Sequence, residues 1–132
     1  MVRGQGPLSF HLDTHVAMWL VSGERRRLRP VEKVLREGSL LLSPVAAIEL
    51  QLLHEIGRFR PSVAQALDLL QSDYGVEEAS GDLRDIGRRA RTLGWARDPF
   101  DRLIVAHALE SGSLLLTADE TIRARCSEAR WD

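Results

Sequence analysis

The sequence predicts an α/β fold, an open parallel sheet flanked by helices on both faces. Three observations predict it: short apolar runs of strand length, helical patterns between them, and Pro and Gly residues falling singly where one period gives way to the other. Leu40-Leu41-Leu42 and Leu114-Leu115-Leu116 are apolar without alternation, as in parallel strands buried on both faces. Strands separated by helices require crossovers, and crossovers cover both faces of a parallel sheet. A chain of 132 residues fits one domain, spanning 1–132.

The elements follow in order. Leu8–Leu12 alternates into Asp13-Thr14 and is expected to be the first strand, followed by a short helix through Ala17, Trp19 and Leu20. Pro30 opens a helix around Val31–Arg36. Ser39–Ser43 is the second strand. Ser43 is suited to cap the next helix and Pro44 to fill its first position, while Val45, Ile48, Leu52 and Ile56 recur at helical spacing until Gly57. Helices are expected over Pro61–Leu70 and Leu83–Leu93, with a brief strand at Val76–Ala79 between them. Phe100–Leu109 is a further helix ended by Gly112, and Leu114–Thr117 a buried strand.

Composition excludes several classes. With 44% hydrophobic and 28% charged residues the chain is neither disordered nor membrane-like, and its apolar runs are far shorter than the roughly 20 residues that cross a bilayer. Met1–Pro7 does not lead into the apolar segment of a secretory leader, and the lone Cys126 has no intramolecular disulfide partner, so the cytoplasm is the expected compartment. A net charge of −1 gives no strong field for nucleic acid. Arg25-Arg26-Arg27 with Arg29 form the one basic cluster, open to two readings, a phosphate contact or a solvated loop.

Four acids carry the chemistry. Ligands of open α/β sheets bind beyond the carboxyl ends of the strands, which points to Asp13 after the first strand and Asp119 after the Leu114–Thr117 strand. Glu49 interrupts the apolar face of its helix, and Asp101 precedes Ile104, Val105 and Ala108 at i+3, i+4 and i+7. A buried carboxylate needs a cation or strong hydrogen bonds, and several in one pocket need a divalent ion. An oxygen-rich, thiol-free set suits Mg2+ (or Mn2+), which activates water and clamps a phosphodiester. Asp13, Glu49, Asp101 and Asp119 are therefore the candidate metal ligands.

These acids sit in ordered motifs: Leu12-Asp13-Thr14-His15, then Ser43-Pro44-Val45-Ala46-Ala47-Ile48-Glu49-Leu50, then Asp98-Pro99-Phe100-Asp101-Arg102-Leu103-Ile104-Val105-Ala106-His107-Ala108, then Leu116-Thr117-Ala118-Asp119. The set resembles the successive acidic motifs of PIN-domain nucleases, particularly the VapC toxins, from about Leu8 to the C-terminus. The resemblance implies a PIN-like fold, Mg2+ or Mn2+ dependence, endonucleolytic cleavage of RNA, inhibition by a cognate VapB-type antitoxin, and a homodimer. In the family's pattern Asp13, Glu49 and Asp101 match the first three acids and Asp119 the more variable fourth.

Neighbouring residues have competing readings. Asp98 either joins the metal's outer shell or caps the helix beginning near Pro99, and the cap is favoured. Thr14 and Thr117 either orient a water or phosphate oxygen or cap locally. Arg102 is read as a structural ion pair at the sheet's rim in preference to a substrate contact. His11 and His15 bracket Asp13 but lack the further ligands zinc requires. His54 and His107 are read as packed or surface histidines, Trp19, Trp95 and Trp131 as core or interface residues, and Cys126 as no nucleophile. Phosphotransferase folds of the haloacid-dehalogenase type want an acid at position 15, which is His, and receiver domains want a lysine after a late strand, whereas Lys33 is the only lysine. The rival of another class is a PIN-like module that binds RNA or protein without cutting.

Overall fold

Leucine-rich strands of three or four residues form the centre of the structure, a computed structural model that describes residues 8–132. Met1–Pro7, read above for a secretory leader, lie outside the described residues. The strands are β1 (Ser9–Leu12), β2 (Ser39–Leu42), β3 (Glu77–Glu78), β4 (Leu114–Leu116) and β5 (Ala129–Arg130). They form one all-parallel sheet in the order β3-β2-β1-β4-β5, with Phe10 beside Leu40 on one side and Leu114 on the other. The open parallel α/β sheet expected from the apolar runs is the architecture observed.

The helices are α1 (Thr14–Ser22), α2 (Arg25–Leu28), α3 (Glu32–Glu37), α4 (Pro44–Glu55), α5 (Val63–Tyr74), α6 (Leu83–Ala90), α7 (Pro99–Glu110) and α8 (Glu120–Arg125), with a 3-10 turn at Arg29–Val31. From β1 the chain moves outward through β2 to β3, then returns past β1 to β4 and β5. Right-handed crossovers place helices from the two directions of travel on opposite faces. Accordingly α1 packs against α2, α4 and α5, while α6 packs against α7. Direction reverses between β1 and β4, and the crevice outside their carboxyl ends is where such sheets bind ligands.

Leu12, Leu40, Leu42, Leu115 and Leu116 are almost completely buried, each contributing roughly 1.5–3 kcal/mol relative to exposure. Ser43 and Pro44 start α4 as expected, the serine hydroxyl accepting from Val45 N–H at 3.1 Å. The α4 core face differs from the expected one. Ala46 and Leu50 are buried while Ile48, Leu52 and Ile56 are exposed, because the small Ala46 lets this face approach the sheet and turns the bulkier stripe outward. Helix α5 begins at Val63, two residues later than expected, where Ser62 and Gln65 form a reciprocal capping box. The Arg25–Arg27 cluster is helical, and Arg27 lies 5.2 Å over the Trp19 ring, which itself meets Trp131 edge-on at 5.7 Å.

Close approach at Gly38 fits α3 to β2. A Cβ there would lie 2.8 and 2.9 Å from the buried Phe10 ring and 2.9 Å from the Val34 carbonyl. Gly38→Ala should therefore lower stability by about 1–3 kcal/mol through overpacking. Gly87→Ala, inside α6 with nothing within 4 Å of the added Cβ, should raise it by about 0.5–1 kcal/mol. Urea midpoints at unchanged m-value measure both, and the reverse order would contradict this packing.

Candidate metal centre

Asp13 follows β1 directly, and its N–H continues the β1–β4 pairing by donating to the Leu116 carbonyl at 3.0 Å. Its extended backbone makes it the N-cap of α1, with Oδ1 accepting from Thr14 N–H at 2.8 Å. Oδ2 accepts from the Thr117 hydroxyl at 2.7 Å. The carboxylate is thus fixed from two adjacent strand ends. Burial nonetheless outweighs these bonds and raises its pKa, with the nearby Asp119 charge adding to the rise.

Thr117 and Thr14 act on the acids themselves, a role the sequence reading did not assign to them. Thr117 Oγ1 also accepts from Asp119 N–H at 3.1 Å, so one hydroxyl ties Asp13 to the start of the Asp119 segment. Thr14 Oγ1 donates to Glu49 Oε1 at 2.6 Å, linking the first turn of α1 to α4. Glu49 is half-buried; burial raises its pKa most, and the charges of Asp13 and Asp98 add to the rise. Asp119 caps α8, its Oδ1 accepting from Ile122 N–H at 2.9 Å.

Asp101 lies in the first turn of α7, above the buried Ile104, Val105 and Ala108 of the same face. It is pushed up to about 7, first by burial and then by the charges of Asp13, Asp98, Glu49 and Asp119. All four candidate acids and Asp98 therefore share one electrostatic neighbourhood, although they come from four separate parts of the chain. Asp98 is the α7 cap, accepting from Phe100 N–H at 2.8 Å and Asp101 N–H at 3.1 Å. Its charge also acts on Glu49 and Asp101, so capping and membership of the acidic cluster coexist.

Among the described residues none of these acids has an ion-pair partner. The ion pairs among the described residues are Arg27–Glu24, Arg88–Asp85 and Arg89–Glu110, all remote from the motifs. Arg102 makes no ion pair among the described residues; its Nε donates to the Ala96 carbonyl at 2.7 Å, because the chain turns back beneath it before α7. Beyond the Thr117 and Thr14 hydroxyls, the charge of the exposed His15 also favours ionised Asp13 and Glu49, a contribution the sequence reading missed by treating it only as a zinc candidate. His11 is fully buried, its ring edge-on to His107 at 4.8 Å.

The donor set fits a hard divalent cation in chemistry: carboxylate oxygens, no thiol, and negative charge that no salt bridge among the described residues balances. Among the described residues, no three His, Cys, Asp or Glu side chains are already drawn into a closed ligand group. Like charges repel one another, and hydroxyl and cap bonds hold Asp13, Glu49 and Asp119 in their present rotamers.

A PIN domain family model matches residues 11–127, and the chain belongs to the PIN domain family, whose members are generally nucleases. Among solved structures, a chain of VapBC2 from Rickettsia felis bound to a promoter DNA fragment superposes with a TM-score of 0.71 at 18% identity, covering 95% of this chain and 100% of that one. A chain of VapBC-1 from nontypeable Haemophilus influenzae gives 0.66 at 20% identity, covering 95% and 97%. DNA-bound VapBC from Salmonella typhimurium gives 0.60 at 18%, covering 88% and 91%. At these identities the likeness shows the fold. No curated protein matches in sequence.

The raised Asp101 pKa sets a pH-dependent cost. An ordinary aspartate titrates near 3.8, so between there and about 7 the folded protein binds this proton and the unfolded chain does not. The associated stability is complete below the lower value and is lost as pH rises through the upper one. In EDTA at pH 8, Asp101→Asn should exceed wild type by roughly 1–2 kcal/mol, discounted for a half-exposed group, and the gain should disappear at pH 4. Chemical denaturation at the two pH values reads the difference; a gain that is equal at both would contradict the shift.

Proposed function

We propose that this chain is a single-domain VapC-type toxin, an Mg2+- or Mn2+-dependent endoribonuclease held in check by a VapB-type antitoxin. The observation that carries the reading is that Asp13, Glu49, Asp101 and Asp119 act on one another at the carboxyl ends of β1 and β4 without a salt bridge among the described residues. Membership of the PIN family and the fold shared with chains of VapBC complexes support it.

In this reading Asp13, Glu49 and Asp101 hold the metal and Asp119 assists them. When bound, the ion supplies positive charge at the phosphoryl group and makes water acidic enough to attack at neutral pH. Asp13, fixed at both oxygens, provides a rigid point of attachment that needs no loop motion. Thr14 holds Glu49 in its rotamer, and Glu49 and Asp13 are thereby connected through the hydroxyl and the backbone N–H of one residue. Asp101 carries a proton part of the time near neutrality, which relieves repulsion until a cation takes that role.

Removing one carboxylate charge at an otherwise unchanged shape separates chemistry from folding. Asp13→Asn and Asp101→Asn should abolish detectable RNA cleavage in Mn2+ with the fold intact by circular dichroism. Asp119→Asn, whose carboxylate is committed to the α8 cap, should retain partial activity that recovers at raised Mn2+. Full activity in Asp13→Asn would remove the mechanism, and wild-type protein that binds RNA without cutting it in Mn2+ would leave the binding-module alternative.

The proposed toxin is a homodimer, and its inhibitor is expected to bring an arginine or lysine to the acidic pocket. The exposed Ile48, Leu52 and Ile56 run along the same helix that carries Glu49, a surface suited to the apolar face of a partner segment. Leu52→Glu combined with Ile56→Glu should weaken antitoxin binding at least about tenfold, the cost of a few buried apolar contacts, while free-enzyme cleavage persists. Calorimetric titration with the co-encoded antitoxin measures this; unchanged affinity would place the partner elsewhere.

A further inference from the structure

The metal-ligand reading leaves His107 unused, yet this buried side chain, 3% exposed, joins three separate segments of the chain. Its Nδ1 is 2.8 Å from Ser43 Oγ, at the junction of β2 and α4, and its Nε2 is 2.9 Å from the Ser80 carbonyl, in the segment before α6. A carbonyl oxygen only accepts, so Nε2 carries the hydrogen, and in the neutral ring Nδ1 is the acceptor. Ser43 fits that assignment. Its oxygen already accepts from Val45 N–H at 3.1 Å, and its single hydrogen is left to donate to His107 Nδ1. Ser43 Oγ and both His107 ring nitrogens are then satisfied where an unpaired group is costly.

We infer that His107 is a positioning residue of the carboxylate pocket, fixing the N-terminus of α4, and with it Glu49, against α7, which carries Asp101. Glu49 lies six residues beyond Ser43 and Asp101 six residues before His107, so a rigid Ser43–His107 bond sets the relative placement of two acids that no direct bond connects. The Ser80 carbonyl acts one step further out, by selecting the tautomer. Gly81 permits this: a Cβ there would lie 2.9 Å from His107 Nε2 and 2.9 Å from Ile86 Cδ1, so a side chain would force the segment off the ring. The edge-on contact with His11 holds the ring plane. A packing residue alone would need neither hydrogen bond.

The inference rests on the proposed metal-binding role of Glu49 and Asp101, and two amide substitutions test it by splitting the two bonds. The His107→Asn amide reaches the Nδ1 position and keeps the Ser43 partner; the His107→Gln amide reaches the Nε2 position and keeps Ser80. Mn2+ affinity by isothermal calorimetry should stay within about threefold of wild type in His107→Asn and fall about tenfold or more in His107→Gln, the usual scale for groups that orient ligands. Thermal melts in EDTA should not follow that order, because packing loss is greater for the shorter asparagine. Ser43→Ala should cost similar Mn2+ affinity, and Ser43→Ala with His107→Gln should cost no more than His107→Gln alone. In the metal-free wild type, long-range 1H–15N spectra should show the Nε2–H tautomer of His107, lost in Gly81→Ala. An Nδ1–H tautomer, additive losses in the double variant, or undiminished Mn2+ binding in His107→Gln overturns the inference. Failure of the wild-type protein to bind Mn2+ would instead overturn the metal-dependent reading on which it depends.

Discussion

Crowding of negative charge at the end of a parallel sheet is the constraint on which the rest of this structure depends. Asp13, Glu49, Asp98, Asp101 and Asp119 come from distant parts of the chain, and burial together with mutual repulsion pushes Asp101 up to about 7. Such an arrangement is unfavourable for folding in isolation. The surrounding sequence contains it by placing hydrogen-bond donors on the acids: the Thr117 hydroxyl and Thr14 N–H on Asp13, the Thr14 hydroxyl on Glu49, and helix N-termini on Asp98 and Asp119. Negative charge at a helix N-terminus is itself favourable, so three of the five acids are accommodated by caps.

The scaffold makes that containment rigid. Strands of two to four residues leave little backbone to flex, and their leucines are packed from both sides. Beyond them, Asp13, Asp98 and Asp119 are themselves helix caps, Asp101 lies in the first turn of α7 and Glu49 within α4, so none of the acids lies within a long loop. The hydroxyl of Thr117 is central, because it joins the ends of β1 and β4 where the direction of the chain reverses. Ser43, Ser80 and His107 provide a second polar link, between α4 and α7. The two links together define where the four candidate ligands stand.

Much of this was legible in the residues. Continuous leucine runs specified the buried parallel strands, and serine–proline or aspartate–proline pairs marked the starts of α4 and α7. The four acids were legible because each breaks a folding pattern, by ending a strand or interrupting an apolar face. Other features carry no such signal. β5 has two residues, Ala129 and Arg130, and exists only because Leu115 and Leu116 offer it a template. The outward turn of Ile48, Leu52 and Ile56 defied a reading that weighted large residues over Ala46. The hydroxyl bonds from Thr14 to Glu49 and from Ser43 to His107 span 35 and 64 residues, and no local spacing encodes such pairs.

The central claim is that this crowded charge is balanced by a divalent cation, and carboxyl titration followed by 13C NMR tests it most directly. In metal-free protein one carboxyl should titrate near 7, the value to which Asp101 is raised, and saturating Mg2+ should move that step down into the ordinary carboxylate range. Carboxyls that all titrate between about 3 and 5 without metal, or a step near 7 that Mg2+ leaves in place, would contradict the account.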